Sequence, residues 1–254
     1  MKLLSTILLI STLTLSLNAS TAEEEMAKMK AEFASYKQKQ NDDFTDYKEN
    51  LEKEYSAYKK ELEKYWEDPK LSTKKQWVSY SEDKKSRSEV DFENDVIVVE
   101  TVAKNEEEAK AELEKRLSYA VIKNTQEVIE SDPLQKRIQK LSEPLEKNVL
   151  MQDAKPILSI VIFDKEPNKK EVKQYTAEIV RTLPLKVQKS KFGHENVYTM
   201  TIKLPSNTRL KHSKIYKPDI MKNAERFELP APLIFAIMHT ESDFNPMATS
   251  HIPA

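Results

Sequence analysis

Glu241 has the type and spacing that could do chemistry. It lies at i+4 from Ile237 and i+7 from Ile234, so the three share one face of a helix predicted over 233–242. The stretch from Ala231 to Met238 is apolar all round, which predicts a buried helix. A carboxylate leaving such a core at a helix C-terminus meets desolvation and the negative end of the helix dipole, and both raise its pKa. A carboxylic acid kept protonated near neutral pH is what the general acid of glycosidic bond cleavage requires. Most glutamates near helix ends are solvated, so spacing alone does not select this one.

Other chemistries are excluded by composition. The chain has no cysteine, which removes disulfides, thiol nucleophiles and thiolate metal sites. His239-x-Glu241 has the spacing of the zinc deaminases, but their Pro-Cys-x-x-Cys partner is absent. His194, His212 and His251 lie in polar segments and read as exposed, so we expect no metal and no cofactor. Gly193 is the one glycine, which rules out every glycine-rich phosphate loop. A net charge of -1, with Lys and Glu interleaved, gives no electrostatic case for nucleic acid.

The elements that must position Glu241 read as follows. Pro218-Asp219 opens one helix running to about Phe227, and Pro230 and Pro232 bracket the start of the next. Upstream, 77–81, 88–92 and 95–100 alternate with a period of two and read as strands, with Asn94-Asp95 as a tight turn. A Glu-rich helix is expected over 105–130, followed by a helical region broken at Pro133 and Pro144. Ile157 to Phe163 is a short apolar run that reads as a buried strand, 170–181 as a helix, and 195–204 as a surface strand. The fold class is therefore α+β with an antiparallel sheet. Its boundaries are a signal peptide over 1–22, a long helical segment over 23–68, an α+β domain over 69–205 and a helical start of a further domain over 206–254.

The helical segment carries an internal repeat. Phe33-x-x-Tyr36-Lys37 recurs as Phe44-x-x-Tyr47-Lys48 and as Tyr55-x-x-Tyr58-Lys59, with Gln40, Leu51 and Leu62 four residues after each second aromatic. At about 100° per residue an 11-residue period returns to within about 20° of its start, so one aromatic stripe persists along the helix. Helix from Ala22 to Trp66 spans roughly 65 Å at about 1.5 Å per residue, and Pro69 stops it. Two readings stay open: a right-handed coiled coil that self-associates, or one helix whose stripe packs on its own chain.

Lys2, the apolar run from Leu3 to Leu17, and small residues at Ala19 and Ala22 read as an export signal cleaved after one of those two alanines. The run is short for a membrane span, and an uncleaved anchor is the alternative. The expected location is the periplasm, with peripheral attachment to the membrane as the alternative.

Glu241-Ser242-Asp243-Phe244-Asn245-Pro246 resembles the Glu-Ser-x-Phe-Asn-Pro signature of the soluble-type lytic transglycosylases, and Ile220, Ala224, Leu233, Ile234, Ala236 and Ile237 fit the lead-in to it. The Tyr-Lys repeats and Val90-Asp91-Phe92-Glu93 resemble the N-terminal domain of the murein transglycosylase C type. The resemblance implies a lysozyme-like helical domain acting on peptidoglycan glycan strands, at the β-1,4 bond between N-acetylmuramic acid and N-acetylglucosamine. One glutamate, here Glu241, makes both proton transfers and the muramic C6 hydroxyl closes a 1,6-anhydro ring. Ser242 supports the glutamate or the sugar, or is a plain helix-terminal hydroxyl; Phe244, Asn245 and Pro246 shape the turn beneath. The sequence lacks the family's later Gly-Leu-Met-Gln and Ala-Tyr-Asn motifs and its lipidated cysteine. The expectation is thus a catalytic domain truncated after the Glu-Ser motif and inactive in this form. The rival reading is a non-catalytic envelope-binding or spacer module.

Overall fold

The structure, a computed structural model, describes residues 2–142, 154–193 and 195–248, with side chains from residue 23 onward except Ser142. The chain divides into two compact units, one up to Asn50 and one from Leu51.

The described residues of the first unit are all helical and lie within α1 (Lys2–Leu62). Its stripe residues Phe33, Tyr36 and Phe44 are exposed, and Tyr36 is held along the helix by a hydrogen bond that Gln40 donates to its hydroxyl, 2.7 Å. The described helix extends upstream of Ala22 and ends at Leu62 rather than Trp66. Among the described residues, no helix is long and apolar enough to cross a membrane.

The second unit is built on a five-stranded antiparallel sheet in the order β1-β2-β3-β5-β4. The strands are β1 (Gln76–Tyr80), β2 (Ser86–Asp91), β3 (Val96–Ala103), β4 (Lys186–Lys189) and β5 (Asn196–Lys203). Asp91 fixes the β2–β3 turn by accepting from the backbone N–H groups of Glu93 and Asn94, which lets Asp95 take φ +54°. Alternation gives the sheet two apolar faces. On one, Trp77, Val90, Ile97, Val99 and Met200 bury against Leu113 and Leu117. On the other, Val78, Tyr80 and Val102 bury against Tyr58 and Leu62 of α1 and against Trp66. The third aromatic repeat therefore packs on its own unit.

The expected 105–130 helix is two, α2 (Glu106–Ile122) and α3 (Thr125–Ser131). Asn124 divides them because its side chain caps Glu127 N–H while Glu127 reaches back to the Asn124 N–H, a capping box. α4 (Pro133–Ser142) starts at the predicted proline, whereas Pro144 lies outside the described residues.

Ile157 to Phe163 is not a strand. Ser159–Phe163 forms the short helix α5, and Ile157, Leu158 and Val161 are fully buried at helical spacing. A short apolar run without period-two alternation suits a buried helix as well as a strand. α6 (Lys169–Thr182) matches its prediction closely. β5 is an interior strand between β3 and β4, not a surface one, and buries Tyr198, Met200 and Ile202.

α7 (Thr208–Arg226) begins ten residues before Pro218, which it carries in its interior. His212, read as exposed, sits on α7 fully buried at 1% exposure, edge-on to Phe92. His194 and His251 lie outside the described residues. α8 (Ala231–Ser242) follows the predicted bounds with Pro232 in its first turn.

Candidate active site

α8 is apolar, yet none of its residues is buried, and Leu233 and Ile237 are about half exposed. The prediction of a buried helix fails here because α7 is the main element packing along it among the described residues. Its C-terminus is nonetheless firmly tied down. Asp243 and Phe244 both take left-handed backbone (φ +49° and +60°), and the Asp243 N–H closes on the His239 carbonyl at 3.0 Å.

The residues after that turn anchor it to the sheet unit. Buried Asp243 lies 3.1 Å from Lys75 Nζ, 3.4 Å from Arg209 Nε and 3.3 Å from His239 Nε2. Phe244 is buried, stacked on His239 and tilted against Phe235. Asn245 donates its side-chain amide to the Lys74 carbonyl, and Met247 reaches the main core. Asp243, Phe244 and Asn245 thus hold this turn in place.

Glu241 projects from this anchored end with its side chain 56% exposed and its Oε2 2.5 Å from Lys74 Nζ. The Lys74 ammonium, through its hydrogen bond and its charge, holds the Glu241 carboxyl below the usual carboxylate range. The raised pKa expected from burial is therefore corrected: an exposed carboxylate beside an ammonium stays ionised. Ser242 does not reach Glu241; its hydroxyl donates back to the Met238 carbonyl at 2.9 Å, the ordinary bond of a serine in a helix. Lys74 was missed in the sequence because it stands 167 residues from Glu241, in a charged lead-in to β1 with no local signal.

A shallow depression of about 360 Å³ lies beside this end, lined by Arg209, Phe235, His239 and Phe244. Among the described residues no cluster of histidine and carboxylate side chains could hold a metal ion.

A five-stranded antiparallel sheet carrying helices on both faces, with an ionised glutamate at the end of an anchored apolar helix, defines an α+β protein with a helical extension. The family model for the membrane-bound lytic murein transglycosylase C N-terminal domain matches residues 44–214, and the chain belongs to that family. It is similar to membrane-bound lytic murein transglycosylase C of Serratia proteamaculans, 28% identical over 177 residues, and to that of Yersinia enterocolitica, 29% over 176. Each alignment covers 68% of this chain and 45% of the relative. A shorter match to the Pectobacterium atrosepticum protein is 39% identical over 72 residues, 28% of this chain and 20% of that one. The chain spans less than half the length of these relatives. The family match ends at residue 214, within α7, so Glu241 and Ser242 lie beyond it.

Proposed function

We propose that this chain belongs to a periplasmic peptidoglycan lytic transglycosylase in which Glu241 is the acid and base. The reading is carried by the Glu-Ser-x-Phe-Asn-Pro segment standing at the end of α8, its Asp243, Phe244 and Asn245 fastened beneath the glutamate. In the reaction, protonated Glu241 gives its proton to the glycosidic oxygen as the bond to muramic C1 breaks. The carboxylate then takes the proton of the C6 hydroxyl, whose oxygen bonds to C1 and closes the anhydro ring. No water enters, and no second carboxylate is needed as nucleophile. Ser242 serves as a neighbouring contact for sugar once its bond to Met238 is exchanged.

With Lys74 in place Glu241 is in the wrong protonation state to begin. Turnover therefore requires Lys74 to withdraw and the exposed face of α8 to be covered, and the chain in the described state is expected to be inactive. The test is digestion of purified sacculi by the chain and by Glu241→Gln, with anhydromuropeptides read by mass spectrometry. Wherever product appears, the glutamine variant should lose at least about 10²-fold, the usual contribution of a positioned general acid. Detectable product released equally by both would end the assignment.

A second reading, favoured by the exposed Phe33, Tyr36 and Phe44, is that the first unit self-associates and the chain serves as an envelope spacer.

A further inference from the structure

The second unit contains a cavity of about 700 Å³ between β1, β2 and the α2–α4 helices, remote in sequence from Glu241. Its lining is rich in hydroxyls, from Ser79, Ser81, Ser86, Tyr119 and Ser131, and it includes the guanidinium of Arg116. Arg116 is 6% exposed. Its Nη2 donates to Ser79 Oγ and, at 3.4 Å, to Ser88 Oγ, and its plane lies 4.2 Å over the Tyr119 ring. Nε is buried with no acceptor, and Nη1 has none among the described residues.

The same sheet shows how this fold treats a buried guanidinium that is purely structural. Arg87, also 6% exposed, is paired with Glu100 at 2.6 Å and donates to the Asp68 carbonyl at 2.8 Å. Arg116 has no carboxylate within ion-pair distance among the described residues. Asp132 is near, but its Oδ1 is taken by the N–H groups of Leu134 and Gln135 at the start of α4. A desolvated charge with unused donors carries a cost that an incoming anion would relieve.

We propose that this cavity binds the free carboxylate end of a short peptide, the carboxylate on Arg116 and the peptide body among the hydroxyls. The charge balance selects the ligand class. Glu82, Glu112, Glu130 and Asp132 stand in the lining against Lys115, Arg116 and Lys136, a net of about -1, which disfavours a phosphate dianion more than a zwitterionic peptide whose ammonium meets the acidic side chains. A cavity of this size is in the ordinary range for small ligands.

The murein reading adds only the choice of stereochemistry. The test is calorimetric titration of the full chain with D-alanyl-D-alanine, L-alanyl-L-alanine, D-alanyl-D-alanine amide and inorganic phosphate, with the Arg116 Nε–H resonance followed by NMR. The expected result is one binding event for the free acid, at least about tenfold weaker for the amide and for Arg116→Lys, since each loses a charge-assisted bond. The Arg116 resonance should move with the acid and not with phosphate. Glu241→Gln should bind as the parent does, which separates this site from the proposed catalysis. Equal binding of acid and amide, unchanged affinity in folded Arg116→Lys, or an Arg116 resonance that ignores the acid would each overturn the proposal. Equal affinity for the L-dipeptide would leave the pocket and remove its tie to murein.

Discussion

His212 holds its Nε2 2.7 Å from the Ile157 carbonyl, which can only accept, so the ring is the Nε2–H tautomer and Nδ1 is buried without a partner among the described residues. Protonating Nδ1 would place a charge and an unmatched N–H between α5 and α7. Burial accordingly pushes the His212 pKa below the ordinary 6.5, against the smaller opposite pull of the Ile157 carbonyl. The folded state then binds this proton less tightly than the unfolded chain, so stability is full above about 6.5 and declines as pH falls through the folded value. Urea unfolding at pH 7.5 and pH 5.5 should show a loss on acidification that His212→Gln, which keeps a donor for Ile157, largely removes. A variant with the same loss would place the acid sensitivity elsewhere. His212 was misread because its neighbours Lys211 and Ser213 are polar, whereas its partners Ile157 and Phe92 are far away in sequence. Arg116 left more of a trace: it stands three residues after Leu113 and four before Ala120, on the apolar stripe of α2.

At the scale of elements, helix starts are set by side chains that replace missing helical partners. Asn168 accepts from the N–H groups of Lys170 and Glu171, and Glu171 accepts from the Asn168 N–H at 2.9 Å. Asn168→Ala should cost about 1 kcal/mol of stability, read as a lower urea midpoint at unchanged slope, while Asn168→Asp should restore most of it. An alanine variant as stable as the parent would show that packing of Val172, Thr176 and Val180 alone sets α6. The same chemistry made some boundaries legible and hid others. The period-two strands β1 to β3 and the proline-led α8 could be read directly, because one face is buried and each end has its turn or proline. α5 reads as a strand in the sequence because five residues are too few to show a period. The early start of α7 was missed because Pro218 suggests a first turn, while the buried Thr208, His212 and Ile220 carry the helix through it. The burial expected of α8 is where the structure departs furthest from the sequence. Its apolar composition was read correctly, but exposure depends on what packs against it, and composition alone does not supply that.

For the molecule as a whole, the repeat in α1 has two fates that separate the two units. In the second unit Leu51, Tyr58 and Leu62 are buried and the stripe is part of a core. In the first unit Phe33, Tyr36 and Phe44 remain exposed, though the period that places them is the same. Isolated helices gain most of their stability from packing an apolar face, and aromatic residues in water supply none of it. A second copy of the same stripe offers a matching surface, and an 11-residue period favours a right-handed supercoil between the two. Sedimentation equilibrium of the full chain should therefore show a concentration-dependent dimer over the micromolar range. The double substitution Phe33→Glu, Phe44→Glu should return it to monomer, with the near-ultraviolet signature of the Trp66 and Trp77 environments unchanged. Dimers that survive that change would have to form through the second unit, whose exposed Leu233 and Ile237 are the next surface to alter. A chain that stays monomeric throughout would leave the stripe without a partner of its own kind and count against the spacer reading.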